Sequence, residues 1–174
     1  MTKIPTMFVR DEAVKGHPVM NRIKPECQWV LDGEGVATLK LDGTNAKVEG
    51  GQLFKRQKPK DRDYDEASYV ACDRNNPADR WHFEAFDLCD GEIWPDGIYE
   101  LVGPKIQNNP HRYPAHELVR VVPANDALVI DYVPRTFDGL KKYLADIPVE
   151  GVVFHHQDGR FAKIKRRDFG IHWP

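Results

Sequence analysis

The fold turns on Val149-Glu150-Gly151-Val152-Val153-Phe154-His155-His156-Gln157-Asp158-Gly159-Arg160-Phe161-Ala162-Lys163-Ile164-Lys165. Two runs rich in β-branched and aromatic residues flank Asp158-Gly159, a pair that supplies the positive φ angles of a tight turn. Residues 150–155 and 161–165 are therefore expected to pair as an antiparallel hairpin. Side chains alternate along a strand, so Lys163 and Lys165 emerge on one face, across from the strand that carries Glu150. Two lysines sharing a face beside a glutamate make an anion site with a place for a cation.

Outward from this hairpin the same texture continues. A second hairpin is expected around Gly50-Gly51. Strands are expected at 27–31, 36–41, 44–48, 52–56, 82–88, 98–102, 118–122 and 128–133, where short apolar runs end at Gly, Pro, Asn or Asp. The clearest helix is Phe137–Asp146: Leu140, Tyr143 and Leu144 recur at i, i+3, i+4, and Thr136 or Asp138 is placed to cap it. A shorter helix is expected over 64–73. The 13 glycines and 13 prolines punctuate many short runs, and the resulting fold class is α+β, dominated by antiparallel sheet with a few short helices.

The chain has 174 residues, the size of one domain with its own core, so a single domain over 1–174 is expected. It is 41% hydrophobic and 30% charged, which argues against disordered, collagenous and coiled-coil classes. No run approaches the length of a membrane span, and the N-terminus lacks the order of a signal peptide. Cys27, Cys72 and Cys89 form no CxxC pair, against a disulfide framework or a zinc knuckle. A soluble cytoplasmic protein is the expectation, without a membrane partner. The net charge of −2 names no partner, because binding depends on where charges cluster.

Lys40-Leu41-Asp42-Gly43-Thr44-Asn45 puts a lysine at the end of an apolar run and follows it with a turn-forming Asp-Gly. Flanked by Leu39 and Leu41, that amine is expected to be partly desolvated, the condition under which lysine becomes a nucleophile at neutral pH. The six residues alone also suit a surface lysine before a hairpin turn. Phe54-Lys55-Arg56-Gln57-Lys58-Pro59-Lys60-Asp61-Arg62 then brings five basic side chains against one acid, suited to polyphosphate or a nucleic-acid backbone, or to a solvated loop. Tyr99-Glu100-Leu101-Val102-Gly103 sets a carboxylate into an apolar strand, where it needs a partner or a ligand. His111, His116, His155 and His156 have poor spacing for a metal site. Trp81, Trp94 and Trp173 read as packing residues, Trp94 beside the turn at Pro95-Asp96-Gly97.

Taken in order, Lys40-Leu-Asp-Gly-Thr-Asn45, Arg56, Glu100, Glu150-Gly151 and Lys163-Ile-Lys165 resemble motifs I, Ia, III, IV and V of the covalent nucleotidyltransferase superfamily: ATP-dependent DNA ligases, RNA ligases and mRNA capping enzymes. Asn45 and the Glu-Leu-Val-Gly form of motif III are most similar to the RNA ligases. The resemblance implies an antiparallel-sheet-rich nucleotidyltransferase (ligase adenylation) domain. It implies that Lys40 attacks the α-phosphate of ATP and that Lys163 and Lys165 hold that phosphate. Glu150 would bind Mg2+ or Mn2+, and Arg56 and Glu100 would contact the ribose hydroxyls. Thr38, Leu39 and Gly43 would line the nucleotide site, Val153 would wall the adenine, and Asn45 would act in the sealing steps.

The implied substrate is RNA with a 5′-phosphate and a 3′-hydroxyl, joined through a lysyl-AMP intermediate. Leu39 stands where some RNA ligases carry a glutamate that reads adenine, so nucleotide choice is expected to rest on backbone groups. Nine residues, 166–174, follow Lys165, and no C-terminal OB domain is expected. Arg10 is a candidate phosphate contact. The alternatives are a DNA ligase or capping-type core, and a non-catalytic nucleotide- or RNA-binding module.

Overall fold

A computed structural model describes residues 3–57, 68–88 and 93–174. In chain order the elements are β1 (Phe8–Arg10), β2 (Val19–Ile23), α1 (Gln28–Leu31), β3 (Val36–Lys40), β4 (Thr44–Glu49), β5 (Gln52–Gln57), β6 (Ser68–Ala71), α2 (Arg80–Phe86), β7 (Gly97–Val102), β8 (Glu117–Val122), α3 (Phe137–Asp146), β9 (Gly151–His155) and β10 (Phe161–Lys165). The protein is sheet-rich and mixed α and β; among the described residues the named strands pair antiparallel, and Thr6 makes one parallel bridge to Lys163. Among the described residues no helix is long and apolar enough to cross a membrane.

The chain divides into two compact units. One comprises Ile4–Lys40 and Asp126–Pro174 and holds a three-stranded sheet in the order β10-β9-β3, with β1 and β2 as a separate pair. Its core joins Met7, Phe8, Trp29 and Val30 to the sheet residues Val152, Phe154 and Ile164 and to Leu140 and Leu144 of α3. Burying one apolar stripe is what keeps so short a helix folded. Thr136 caps it, its hydroxyl accepting from Gly139 N at 3.3 Å. Arg135 donates to Val30 O, Glu34 O and Gly35 O, satisfying carbonyls at and beyond the end of α1.

The other unit is Leu41–Asn125, a five-stranded sheet in the order β6-β5-β4-β7-β8. Ala46, Val48, Leu53, Tyr99, Leu101 and Leu118 form its buried face, against which Ala85, Trp81 and Phe86 pack. Trp94 belongs to this packing: its ring stacks on Phe86 at 5.9 Å and its Nε1 donates to Phe86 O.

Both expected hairpins form. Gly50 and Gly51 have φ of 56° and 74° between β4 and β5, and Gly159 has φ of 91° between β9 and β10. Four expectations are corrected. Residues 27–31 and 82–88, read as strands, supply α1 and α2; Pro25 and Pro77 occupy the first turns that lead into them, and Asn76 caps the second by accepting from Ala78 N. Residues 128–133 form no strand but a turn with one bridge, Val129 to Thr38. The helix expected over 64–73 is replaced by β6 where the structure describes it; 64–67 lie outside the described residues, as do Lys58, Lys60, Arg62 and Cys89. β1 and β2 were not anticipated. Thr136→Ala is expected to lower stability by about 1 kcal/mol, read as a lower urea midpoint, with Thr136→Ser close to the parent; an unchanged midpoint for the alanine variant would show that the cap contributes nothing.

Candidate functional site

Strand alternation sorts the three-stranded sheet into two faces. Across β3, β9 and β10 the register gives three rows: Lys40, Gly151 and Lys165; Thr38, Val153 and Lys163; Val36, His155 and Phe161. The intervening residues, Ala37, Phe154 and Ala162 with Leu39, Val152 and Ile164, belong to the opposite face, where all but Leu39 are buried core. Lys40, Thr38, Val153, Lys163 and Lys165 therefore share one face. The Leu39 side chain does not.

Glu150 immediately precedes β9, and its carboxylate joins the first row. Oε2 accepts from Lys40 Nζ at 2.5 Å, and Oε1 lies 3.4 Å from Lys165 Nζ. Side-chain exposure is 21% for Lys40 and 7% for both Glu150 and Lys165. Two ammonium groups around one largely buried carboxylate leave a net positive charge, the electrostatics of an anion site. Burial pushes the Lys165 amine below the ordinary lysine range; Lys40 and Arg167 add to that effect, while Glu150 and Asp168 oppose it. Gly151 is required here, since an added Cβ would stand 2.3 Å from Ile164 O and 2.9 Å from Lys165 Cα.

The row is braced from its far edge. Lys163 N donates to Pro5 O, and Met7 N donates to Lys163 O, so residues 5–7 cover the outer edge of β10. Asp168, fully buried, accepts from Lys165 N through Oδ2 at 2.9 Å and from Arg10 through Oδ1 at 2.5 Å. Arg10 is bound to Asp168, with further bonds to Thr6 Oγ1 and His17 O. Thr38, buried at 4%, makes a 2.9 Å bond between its hydroxyl and His155 Nε2.

No family model matches the chain, and no curated protein matches it.

In the unit of Leu41–Asn125 a second polar row forms on the sheet face opposite the core. Asn45 pairs with Glu100, Arg56 pairs with Tyr69, and the adjacent Ala46–Lys55 pair sets Arg56 beside Asn45. Tyr69 Oη donates to Asn45 Oδ1 at 2.6 Å, and Asn45 Nδ2 donates to Tyr99 O at 3.3 Å. Burial raises the Tyr69 phenol, Arg56 opposing and Glu100 reinforcing the shift, so both charges act on this hydroxyl. A guanidinium, an amide and a carboxylate in one row are suited to neutral hydroxyl groups. Gly43 lies against the same strand, where a Cβ would stand 2.3 Å from Leu101 O and 2.7 Å from Glu100 Cγ. Lys55, part of the basic stretch, turns to the core face and pairs with Asp79 at 2.5 Å.

Three of the histidines weighed in the sequence for a metal site are engaged separately: His111 Nε2 accepts from Asp42 N, His116 pairs with Glu84, and His156 with Glu34 and Asp158. Sequence reasoning missed Tyr69, His155 and Asp168 as neighbours of these rows. Tyr69 was hidden by the helix reading of its segment. Glu150→Gln is expected to cost on the order of 3 kcal/mol in chemical unfolding, because it strands two ammonium groups without their counter-charge. Lys165→Met in that background is expected to recover part of the loss; a glutamine variant as stable as the parent would contradict the electrostatic role assigned to Glu150.

Proposed function

We propose that this protein is an ATP-dependent RNA ligase that joins RNA 3′-hydroxyl and 5′-phosphate ends through a covalent Lys40–AMP intermediate. The observation that carries the reading is the meeting of Lys40, Glu150 and Lys165: three residues from three separate motifs of the nucleotidyltransferase resemblance, in contact across one sheet. They are the groups that lysine adenylylation needs.

In the first step Lys40 Nζ, freed of a proton, bonds to the α-phosphorus of ATP while the bond to the bridging oxygen breaks and pyrophosphate leaves. The Glu150 carboxylate, 2.5 Å from that nitrogen, orients it, and the proton leaves to water. Lys165, whose backbone N–H donates to Asp168, and Lys163, whose backbone is bonded to Pro5 and Met7, would supply positive charge for the phosphate oxygens. Positioning and charge neutralisation dominate such displacements. A 5′-phosphate oxygen of the RNA then attacks the lysyl-AMP phosphorus and breaks the P–N bond. Finally the 3′-hydroxyl attacks the 5′-phosphorus, forms the phosphodiester and releases AMP.

Glu150, the one carboxylate of the row, would hold Mg2+ or Mn2+ beside phosphate oxygens. Such an ion supplies charge neutralisation on the phosphates. By the resemblance, Arg56 and Glu100 would contact the ribose hydroxyls and Asn45 would act in the sealing steps.

The test offers the full chain ATP and Mg2+ with broken RNA bearing 5′-phosphate and 3′-hydroxyl ends, and in parallel nicked DNA, or GTP in place of ATP. RNA is expected to be joined with ATP, and Lys40→Ala is expected to join none. Sealing of DNA alone, or labelling from GTP alone, would favour a DNA ligase or capping-type enzyme. ATP and RNA binding without joining would make the protein a binding module.

A further inference from the structure

Behind the five-stranded sheet, on the side of α2, three side chains of different chemistry converge: Cys72, just after β6; Asp79, at the end of the short turn over Pro77–Asp79; and His82, in the first turn of α2. Their ligand atoms, Sγ, a carboxylate oxygen and a ring nitrogen, all lie within 4.8 Å of one another. Asp79 is 1% exposed and His82 7%.

His82 is the informative member. Neither Nδ1 nor Nε2 has a hydrogen-bond partner among the described residues, although both atoms are buried. A buried imidazole left without partners costs free energy, and proteins seldom leave one so. The rest of the cluster is prepared in the opposite sense. The Asp79 carboxylate is fixed by Lys55 Nζ at 2.5 Å on Oδ1 and by Asp73 N at 3.0 Å on Oδ2. Cys72 is fixed through its backbone, whose N–H donates to Leu53 O at 2.9 Å. Ligating side chains are commonly oriented by such outer hydrogen bonds.

We propose that Cys72, Asp79 and His82 bind one divalent transition-metal ion of the zinc class, tying the end of β6 to α2. A thiolate, an imidazole and a carboxylate are the borderline-to-soft donor set that selects zinc or cobalt over magnesium or calcium. Bonds of roughly 2.0 to 2.3 Å require the three side chains to draw together slightly, and a water fills the fourth position. On coordination the Cys72 thiol gives up its proton to solvent. Lys55 stays paired with Asp79 and offsets part of the negative charge. The site is separate from the Lys40–Glu150–Lys165 row and does not depend on the ligase reading.

The probe is cobalt(II) added to the full chain after chelation and dialysis, because a cysteine ligand announces itself by a thiolate-to-cobalt charge-transfer band. One equivalent is expected to bind with that band, and zinc is expected to displace it. Cys72→Ser and His82→Leu are each expected to weaken cobalt binding by more than the roughly 10- to 100-fold that loss of a residue merely orienting a ligand costs, while Cys27→Ser leaves it unchanged. Folding is controlled by melting in chelator, where His82→Leu is expected to match or exceed the parent because it removes an unpartnered polar ring. Zinc is then expected to raise the melting temperature of the parent and not of His82→Leu. Absence of the band at saturating cobalt, equal affinity in parent and both ligand variants, or an equal zinc shift in parent and His82→Leu would each overturn the site.

Discussion

One carboxylate held between two ammonium groups organises this protein. Glu150 immediately precedes the central strand of its sheet and reaches Lys40 on one neighbour and Lys165 on the other. Bringing three charges largely out of water is costly unless each is matched. The sheet meets that cost by geometry: glycine at position 151 lets the strands close, and the register places the two lysines on either side of it. Anion binding at this row, and covalent chemistry at Lys40, are both part of the function proposed.

Each of the two units uses its main sheet in the same manner. One face is committed to a core, Val152, Phe154 and Ile164 in one unit and Ala46, Val48 and Leu101 in the other. The opposite face carries polar rows whose members come from separate strands. Two-residue periodicity is therefore the link between stability and site: the alternation that buries Ile164 presents Lys163 and Lys165. Shifting β10 by one residue would exchange them and lose both.

This periodicity is also why much was legible in advance. Gly50-Gly51 and Asp158-Gly159 declare their turns locally, and Lys40, Glu150 and Lys165 stand out in ordered motifs. The misread segments are those in which local pattern is ambiguous. Apolar runs as short as Gln28–Leu31 fit a strand or one turn of helix equally well, and only the preceding Pro25 or Asn76-Pro77 signals the helix. Contacts made by tertiary approach were invisible: Tyr69 on Asn45, Arg10 on Asp168, and the Cys72, Asp79 and His82 cluster, whose spacing matches no familiar ligand motif.

The central claim is that the amine bridged to Glu150 is the atom that takes up AMP. Intact mass of the full chain after exposure to ATP and Mg2+, followed by peptide mapping of the modified residue, addresses it most directly. The account expects a gain of one AMP, carried by Lys40 and lost in Lys40→Arg. No gain in mass, or AMP carried by another residue, would contradict it.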